Sequence, residues 1–263
     1  MVTVTMWGLL AGLVLMTGMW VASLIRRDVS LVDRVWGIAF LVLAVTYAVV
    51  GDGAIARESL VIALVAIWSL RLSGYITWRN RGHGEDPRYR AMRERDPDRF
   101  PVKALVTVFW LQGLLAWIIS LPLLAVATDP TPTTLIWLDW IGVAMWTVGF
   151  YFEAVGDWQL SRFLADPANK GKVMDRGLWR YTRHPNYFGD TAVWWGYFLI
   201  ALATGAWWAA IGSAVMTLFI VKVSGVALTD KRMSGKAGSK REGYDDYVAR
   251  TNAFFPGPPR KTA

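Results

Sequence analysis

An uncharged run over residues 191–221 is the feature that most constrains the fold of this chain. One helix of its 31 positions would measure about 46 Å, whereas the hydrocarbon core of a bilayer is about 30 Å thick. Thr204, Gly205 and Ala206, near the middle of the run, are typical of a tight turn. The run therefore predicts two transmembrane helices, over residues 185–203 and 207–229.

The composition and the remaining apolar segments predict a polytopic membrane protein. The chain has 263 residues, is 54% hydrophobic and contains 16 Trp, which is too apolar for a soluble domain of this size. Cysteine is absent and only His83 and His184 provide imidazoles, so disulfides, thiolate chemistry and a histidine-built metal site are not expected. We predict an all-α fold with about seven transmembrane helices in a single integral membrane domain, residues 1–263. The five further spans are Trp7–Ile25, Ser30–Gly51, Glu58–Trp78, Ala104–Thr128 and Thr134 to about Trp158.

The positive charges predict the orientation of these helices. Of the 28 Lys and Arg residues, 25 fall in or beside alternate loops and the C-terminal tail, whereas the loops opposite carry only Arg57. By the positive-inside rule, the N-terminus lies outside and the C-terminus lies in the cytoplasm. Much of the net charge of +8 is then explained by insertion and by contact with anionic headgroups, and no nucleic acid is expected as a partner.

Several polar features lie near the predicted cytoplasmic face. The loop 79–103 mixes eight cations with five acids, which indicates an internally paired, folded segment. Ionisable residues inside spans are functional-site candidates, although hydrogen bonding between helices and snorkelling are competing explanations. The candidates inside the spans are Asp33, Arg71, Glu153, Asp157, Asp190 and Lys222.

The segment "RGLWRYTRHPNYFGD", residues 176–190, predicts a phosphate-binding helix start. Pro185 suits the first turn of a helix, which makes His184 the N-cap and directs free backbone amides toward the cytosolic loop. Forked Arg donors and flat Tyr rings suit a nucleotide. These side chains are Arg176, Arg180, Tyr181, Arg183 and Tyr187. Because no glycine-rich nucleotide motif is present, a dinucleotide would bind in a helical cavity.

At these residues the chain resembles the steroid 5-alpha-reductase family, and most closely its bacterial membrane branch. The likeness rests on "DRGLWRYTRHPNYFGD", the preceding "VGDWQLSRFLADPANKGKV", and the segments "SLVDRVWG" and "RLSGYITWRNRGHGEDPRYRAMR". It extends to the tail "GYDDYVARTNAFFPGPP" and so covers most of the chain.

The resemblance implies a multi-pass enzyme of a bacterial-type inner (cell) membrane that uses NADPH to reduce a carbon–carbon double bond conjugated to a ketone. Its substrate would be a steroid-like molecule or another apolar lipid. Loops 79–103 and 159–184 and tail 230–263 would cap the cofactor. The resemblance implies cofactor binding by Asn80, Arg81, Asp157, Arg162, Lys172, Arg176, Asn186, Asp190 and Tyr247. The chemistry of the helix start adds Arg180, Tyr181, Arg183, His184 and Tyr187 as cofactor-binding candidates.

The resemblance also implies how the substrate carbonyl is polarised. The steroid reductases use a glutamate on helix two and a tyrosine on helix three. Asp33 stands at the first position and Trp68 at the second, with Tyr75 two turns further on. An indole donates a hydrogen bond but does not act as an acid. Asp33 also has a purely structural interpretation, as the partner of Arg34 or Arg71.

Two other functions stay open. The motif "YTRHPNYFG" also resembles that of membrane isoprenylcysteine carboxyl methyltransferases and phospholipid methyltransferases, which bind S-adenosylmethionine at a comparable helix start. A non-catalytic lipid-binding protein, in which the polar residues only join helices, is the third interpretation. Neither the substrate nor the oligomeric state is readable from the sequence.

Overall fold

A computed structural model describes residues 1–235 and 240–260 of the chain. Helices account for 75% of the described residues, which contain no strand. A single isolated bridge pairs the backbones of Lys172 and Glu242 in parallel. The predicted all-helical class is therefore confirmed.

The described α-helices are joined by turns and by longer loops, the longest of which connects α8 to α9. Two of them continue through π-helical turns, Leu105–Trp110 between the fifth and sixth helices and Phe219–Ser224 after the tenth. In chain order the helices are α1 (Val2–Arg26), α2 (Leu31–Val50), α3 (Ile55–Arg79), α4 (Pro87–Arg95), α5 (Phe100–Ala104), α6 (Leu111–Ile119), α7 (Leu121–Val126), α8 (Trp137–Ala165), α9 (Pro185–Leu202), α10 (Ala210–Leu218), α11 (Val226–Met233) and α12 (Tyr244–Arg250).

Five helical segments are long and apolar enough to cross a membrane: α1, α2, α3, Phe100–Ile119 and Trp207–Met233. This set is typical of a multi-pass membrane protein. The other two predicted spans also form helices, α8 with 29 residues and α9 with 18. The number of seven crossings and the external N-terminus stay predictions.

The predicted breaks are partly correct. The predicted turn at 204–206 is present, since α9 ends at Leu202 and Gly205 adopts a φ of 82° that suits glycine. The prediction of one helix over Ala104–Thr128 is wrong, because the helix ends at Ile119 and α7 starts with Pro122 in its first turn. Proline has no amide to continue the hydrogen bonds of the preceding turn.

The chain divides into two compact units. The first comprises Met1–Asp139 and Ile200–Gly212, and the second comprises Trp140–Leu199 and Ser213–Ala263. The expectation of one integral membrane domain with a cofactor cap stays a prediction.

In the first unit, α1, α2, α3 and α6 pack around a buried core. Gly37 allows close approach of α2 to α3, since a Cβ atom there would lie 2.9 Å from the carbonyl oxygen of Ser69. Tyr47 is buried and its hydroxyl lies 2.9 Å from the Ser120 hydroxyl. Small residues and buried hydroxyls of this kind join helices where the surroundings are apolar.

A fully buried ion pair ties the start of α3 to the start of α8 within the same unit. Arg57 Nε lies 2.8 Å from Asp139 Oδ1, and neither side chain is exposed. The Arg57 guanidinium also donates to the carbonyl oxygens of Pro132 and Thr134. Arg57 therefore holds the loop between α7 and α8, and its buried charge is compensated by Asp139 and by hydrogen bonds to the loop.

In the second unit, glycines on α8 and α9 bring these two helices close together. A Cβ atom on Gly149 would lie 2.6 Å from the carbonyl oxygen of Gly189. One on Gly196 would lie 2.8 Å from the amide nitrogen of Trp146. Trp146 Nε1 also donates to the Tyr197 hydroxyl at 2.9 Å. This close packing also brings together the polar residues that lie near one end of α8 and of α9.

Candidate functional site

Asp33, in the first turn of α2, contacts the loop helix α4 within the first unit. Tyr89 Oη donates to Asp33 Oδ1 at 2.9 Å, and the Arg88 guanidinium donates to Asp33 Oδ2 at 3.1 Å. The Asp33 side chain is 25% exposed. Arg34, one of the two partners considered for Asp33, pairs instead with Asp28 at 2.9 Å.

Tyr89 is a residue that sequence reasoning misses. It lies 56 positions from Asp33, and nothing in the local segment "EDPRYR" indicates this contact. Burial and the neighbouring Asp33 charge raise the pKa of Tyr89 above its ordinary value. The hydroxyl therefore stays protonated at neutral pH and remains a hydrogen-bond donor to Asp33.

The other two predicted catalytic residues pack elsewhere on α3. Trp68 is fully buried and meets the Phe40 ring edge-on, with centroids 5.7 Å apart. The Tyr75 ring lies 6.1 Å from that of Trp78 and 5.4 Å from the Arg79 guanidinium carbon. Their catalytic roles stay predictions.

The loop after α3 is folded, as the mixed charges predict. Asn80 caps α3 at its C-terminal end and accepts a hydrogen bond from Arg79 Nε, whereas Arg81 is exposed. Glu85 accepts from the Arg93 guanidinium at 2.7 Å and from the Val29 amide at 2.9 Å. These bonds tie α4 and its preceding loop to the turn between α1 and α2.

In the second unit, the structure joins Asn186 on α9 to Asp157 on α8. Asn186 Nδ2 donates to Asp157 Oδ1 at 3.0 Å, and Asn186 Oδ1 accepts from the Tyr187 amide. Helix α9 starts at Pro185, as predicted. Asp190 follows Asn186 by about one helical turn on the same helix. The polar residues predicted on α8 and on α9 therefore meet through the Asp157–Asn186 pair.

Arg183 and His184, both predicted to bind the cofactor, contact Asp230 on α11. Arg183 lies 3.3 Å from Asp230 Oδ2, and His184 Nε2 lies 3.1 Å from Asp230 Oδ1. Tyr244 on α12 donates to the same carboxylate, and burial together with the Asp230 charge raises the pKa of Tyr244 to about 12. His184 also stacks on Tyr187, with ring centroids 5.6 Å apart. This network fixes α11 and α12 to the start of α9, and Asp230 is a second residue that sequence reasoning misses.

Three of the predicted cofactor-binding residues line one cavity of the second unit, which we name the polar cavity. Its volume is about 250 Å³, and it is lined by Lys172, Arg176 and Tyr247. Arg250 also lines it, with its guanidinium 2.6 Å from Asp175 and 3.0 Å from Asp246. The bridge between Lys172 and Glu242 therefore brings residue 172 close to residue 247, although the two are distant in the sequence.

The cations of the polar cavity differ in their partners. Arg250 is neutralised by two carboxylates, whereas Lys172 and Arg176 form no ion pair with any carboxylate in residues 1–235 and 240–260. Tyr247 is buried, and its hydroxyl donates to the carbonyl oxygen of Trp179 at 2.7 Å. Lys172 and Arg176 are thus the cations of this cavity that are available to an anionic ligand.

The remaining predicted residues lie on the surface of the second unit. Arg162, Arg180 and Tyr181 are all exposed. The Arg162 guanidinium carbon lies 5.4 Å from the Trp158 ring. None of the three lines the polar cavity, so their predicted cofactor contacts stay predictions.

Comparison with known proteins gives one family and one relative. An uncharacterised protein of Schizosaccharomyces pombe, C594.04c, is 26% identical to this chain, and the alignment covers 95% of the chain and 78% of the yeast protein. No solved structure matches the chain significantly. Residues 19–251 match the family described as "Protein of unknown function (DUF1295)". Because this match covers most of the sequence, the chain belongs to the DUF1295 family.

Proposed function

We propose that this protein is an NADPH-dependent membrane reductase that acts on a carbon–carbon double bond conjugated to a carbonyl group. Its substrate would be a steroid-like molecule or another apolar lipid. The observation that carries the proposal is the polar cavity, where Lys172, Arg176 and Tyr247 come together. The same residues were assigned to the cofactor from the resemblance to the steroid 5-alpha-reductase family, independently of their spatial proximity.

The residues of the second unit have the chemistry that a phosphorylated dinucleotide needs. Lys172 and Arg176 line the polar cavity without a carboxylate partner in the described part of the chain, which suits the binding of phosphate oxygens. Asp157 fixes the orientation of the Asn186 amide, which we assign to the nicotinamide end. A cofactor amide needs such oriented hydrogen-bonding groups if its reactive face is to be fixed.

The reaction needs chemical groups from both the cofactor and the protein. Bound NADPH would supply the hydride, and the chain supplies orientation and the group that polarises the carbonyl oxygen. We assign that polarising role in the first unit to Asp33 together with Tyr89, whose hydroxyl is hydrogen bonded to it. Because a phenol has one proton to donate, the Tyr89 hydroxyl would turn from Asp33 to the substrate oxygen as enolate charge develops. The indole of Trp68 also donates a hydrogen bond, but it has no comparable acidity.

The proposal includes the finer topology. We propose seven crossings, an external N-terminus and a cytoplasmic C-terminus in a bacterial-type inner membrane, with the loops 79–103 and 159–184 and the tail 230–263 on the cytoplasmic side. The basic character of these segments supports this orientation. The polar cavity would then be reached from the cytosol, where NADPH is found.

Thermal unfolding of the detergent-solubilised protein tests the cofactor assignment. NADPH should raise the melting temperature, and S-adenosylmethionine should leave it unchanged, since only a ligand of the folded state stabilises it. Arg176→Ala should lower the affinity for NADPH about 10- to 100-fold through loss of a charge-assisted contact. Lys170→Ala is the matched control, because Lys170 is exposed and does not line the polar cavity.

The outcomes separate the three functions. Stabilisation by S-adenosylmethionine alone would replace the reductase proposal with a methyltransferase. A protein that neither ligand stabilises would support a non-catalytic lipid-binding role. NADPH consumption would then be measured, by the loss of its absorbance, with each member of a panel of lipid and steroid enones. The enones that are reduced would show the substrate class.

A further inference from the structure

A second cavity of the second unit, which we name the cationic apolar cavity, has a volume of about 240 Å³. Part of its wall is apolar and includes Phe163, Trp179 and Met233. Three cations of the described part of the chain also line it, namely Lys172, Arg232 and Arg241. Aromatic rings beside clustered cations suit a ligand that combines a flat apolar body with negative charge.

The charge of this cavity is not balanced by an acidic side chain in its described lining. No Asp or Glu of residues 1–235 and 240–260 lines it. Among residues 1–235 and 240–260, none of the three cations forms an ion pair with a carboxylate. Like charges beside an apolar wall repel one another unless an anion lies between them. An anionic ligand would remove that repulsion.

The cationic apolar cavity adjoins the polar cavity. Both are lined by Phe163, Lys172, Val173 and Tyr247. The two cavities differ in their carboxylates, since Asp175, Glu242 and Asp246 line only the polar one. A dinucleotide has two bridging phosphates. A third phosphate group is therefore better accommodated beside Arg232 and Arg241 than in the polar cavity.

We propose that the cationic apolar cavity receives the phosphorylated adenosine end of the cofactor, and that Arg232 and Arg241 make the protein selective for NADPH over NADH. The inference rests on the proposed function and adds the residues that would determine cofactor choice. Neither arginine is distinguished by the sequence pattern, because each belongs to a basic tail with many cations. A phosphomonoester carries up to two charges and accepts forked hydrogen bonds from guanidinium groups.

Titration of the full-length protein in detergent with NADPH and, separately, with NADH tests this inference. The unchanged protein should bind NADPH at least tenfold more tightly than NADH. The double variant Arg232→Ala/Arg241→Ala should lose at least tenfold in NADPH affinity and keep its NADH affinity. Lys231→Ala is the matched control, since Lys231 is exposed, adjoins Arg232 in sequence and lines neither cavity.

Other results would overturn the inference in distinguishable ways. Equal affinity of the unchanged protein for both nucleotides, or an equal loss of both in the double variant, would contradict selectivity while leaving the reductase proposal intact. If neither nucleotide binds, the proposed function fails as well. Should phosphatidylglycerol vesicles stabilise the unchanged protein but not the double variant, with no nucleotide bound, the cavity would be a lipid-headgroup site instead. Arg232→Lys/Arg241→Lys, which keeps both charges, should retain part of the selectivity and guards against a folding defect.

Discussion

Tyr89 Oη donates a 2.9 Å hydrogen bond to Asp33 Oδ1, joining a loop helix to the first turn of α2. The Arg88 guanidinium contacts the other carboxylate oxygen of Asp33 at 3.1 Å. This carboxylate is therefore held by two side chains that are consecutive in the sequence. The contact provides a phenolic hydroxyl beside the acid that the family resemblance singled out.

Tyr89→Phe removes this hydroxyl and keeps the ring. We expect loss of enone reduction with retained NADPH binding, because the change affects the polarising group and not the cofactor cavity. The free energy of unfolding should fall by about 1.5–3 kcal/mol, as for other hydrogen bonds to a charged group. Steady-state turnover and NADPH titration together measure these effects. Tyr151→Phe is the matched control, because Tyr151 is exposed and has no assigned role, and an equal loss of turnover in both variants would contradict the assignment of Tyr89.

Removing one partner of the buried Arg57–Asp139 pair should be strongly destabilising. Arg57→Met leaves the Asp139 carboxylate fully buried without its counter-ion, and we expect a cost of about 3–5 kcal/mol. The double variant Arg57→Met/Asp139→Leu should recover much of that loss, because no isolated charge remains. Unfolding in increasing dodecyl sulfate measures the difference.

The partly exposed pair Arg34–Asp28 serves as the comparison. Its side chains are 25% and 17% exposed, and Arg34→Met should cost only about 0–1 kcal/mol. Equal costs for Arg57→Met and Arg34→Met would show that burial of the Arg57–Asp139 pair has no energetic consequence.

Glu85 should make the protein less stable in acid. Burial tends to raise the pKa of Glu85, but hydrogen bonds from Arg93 and the Val29 amide and the nearby positive charges lower it below the ordinary value. A carboxylate with a lowered pKa stabilises the folded state fully above the unfolded pKa of about 4.3, and that stability is lost as the pH falls through the lower folded pKa. Melting temperatures measured from pH 7 to pH 3 should therefore fall less steeply for Glu85→Gln than for the unchanged protein. Parallel curves for the two proteins would be inconsistent with this role.

Gly149→Ala should separate α8 from α9. The new methyl group would lie 2.6 Å from the Gly189 carbonyl oxygen and 2.6 Å from the Val193 amide nitrogen, and backbone atoms of packed helices do not yield easily. We expect a loss of about 1–3 kcal/mol and a weaker NADPH affinity, because the same two helices hold the Asp157–Asn186 pair.

Gly18→Ala in α1 is the control for that change. A Cβ atom there meets no heavy atom within 4 Å, so the variant should be neutral or slightly stabilising. Thermal unfolding in detergent compares the two, and similar melting temperatures for both variants would argue against close packing at Gly149.

Local sequence patterns were sufficient to predict the long apolar helices and two of their boundaries. The uncharged run breaks at Gly205, and α9 starts at Pro185, since both residues act through their own backbone geometry. The helix end at Ile119 was not predicted, although Pro122 follows it, because the apolar pattern continues unbroken through the turn.

The hydrogen-bond partners of polar residues could not be predicted from local patterns in the way that helix positions could. The sequence placed Asn186 and Asp157 on polar faces of two helices, but their direct contact over 29 positions depends on how α8 and α9 pack. The local sequence predicted Arg183 as a phosphate ligand and His184 as a helix N-cap, whereas both side chains contact Asp230, 46 positions beyond His184.

The sequence by itself determined the all-helical class, the apolar segments and which polar residues are candidates for a cofactor site, because periodicity, charge and proline are local properties. Only the tertiary structure decided that Tyr89 is the partner of Asp33 and that Lys172 and Arg176 share a cavity with Tyr247. Such contacts depend on the packing of helices and loops that are distant in the chain. A donor–acceptor distance of about 3 Å between them leaves no signature in the local sequence.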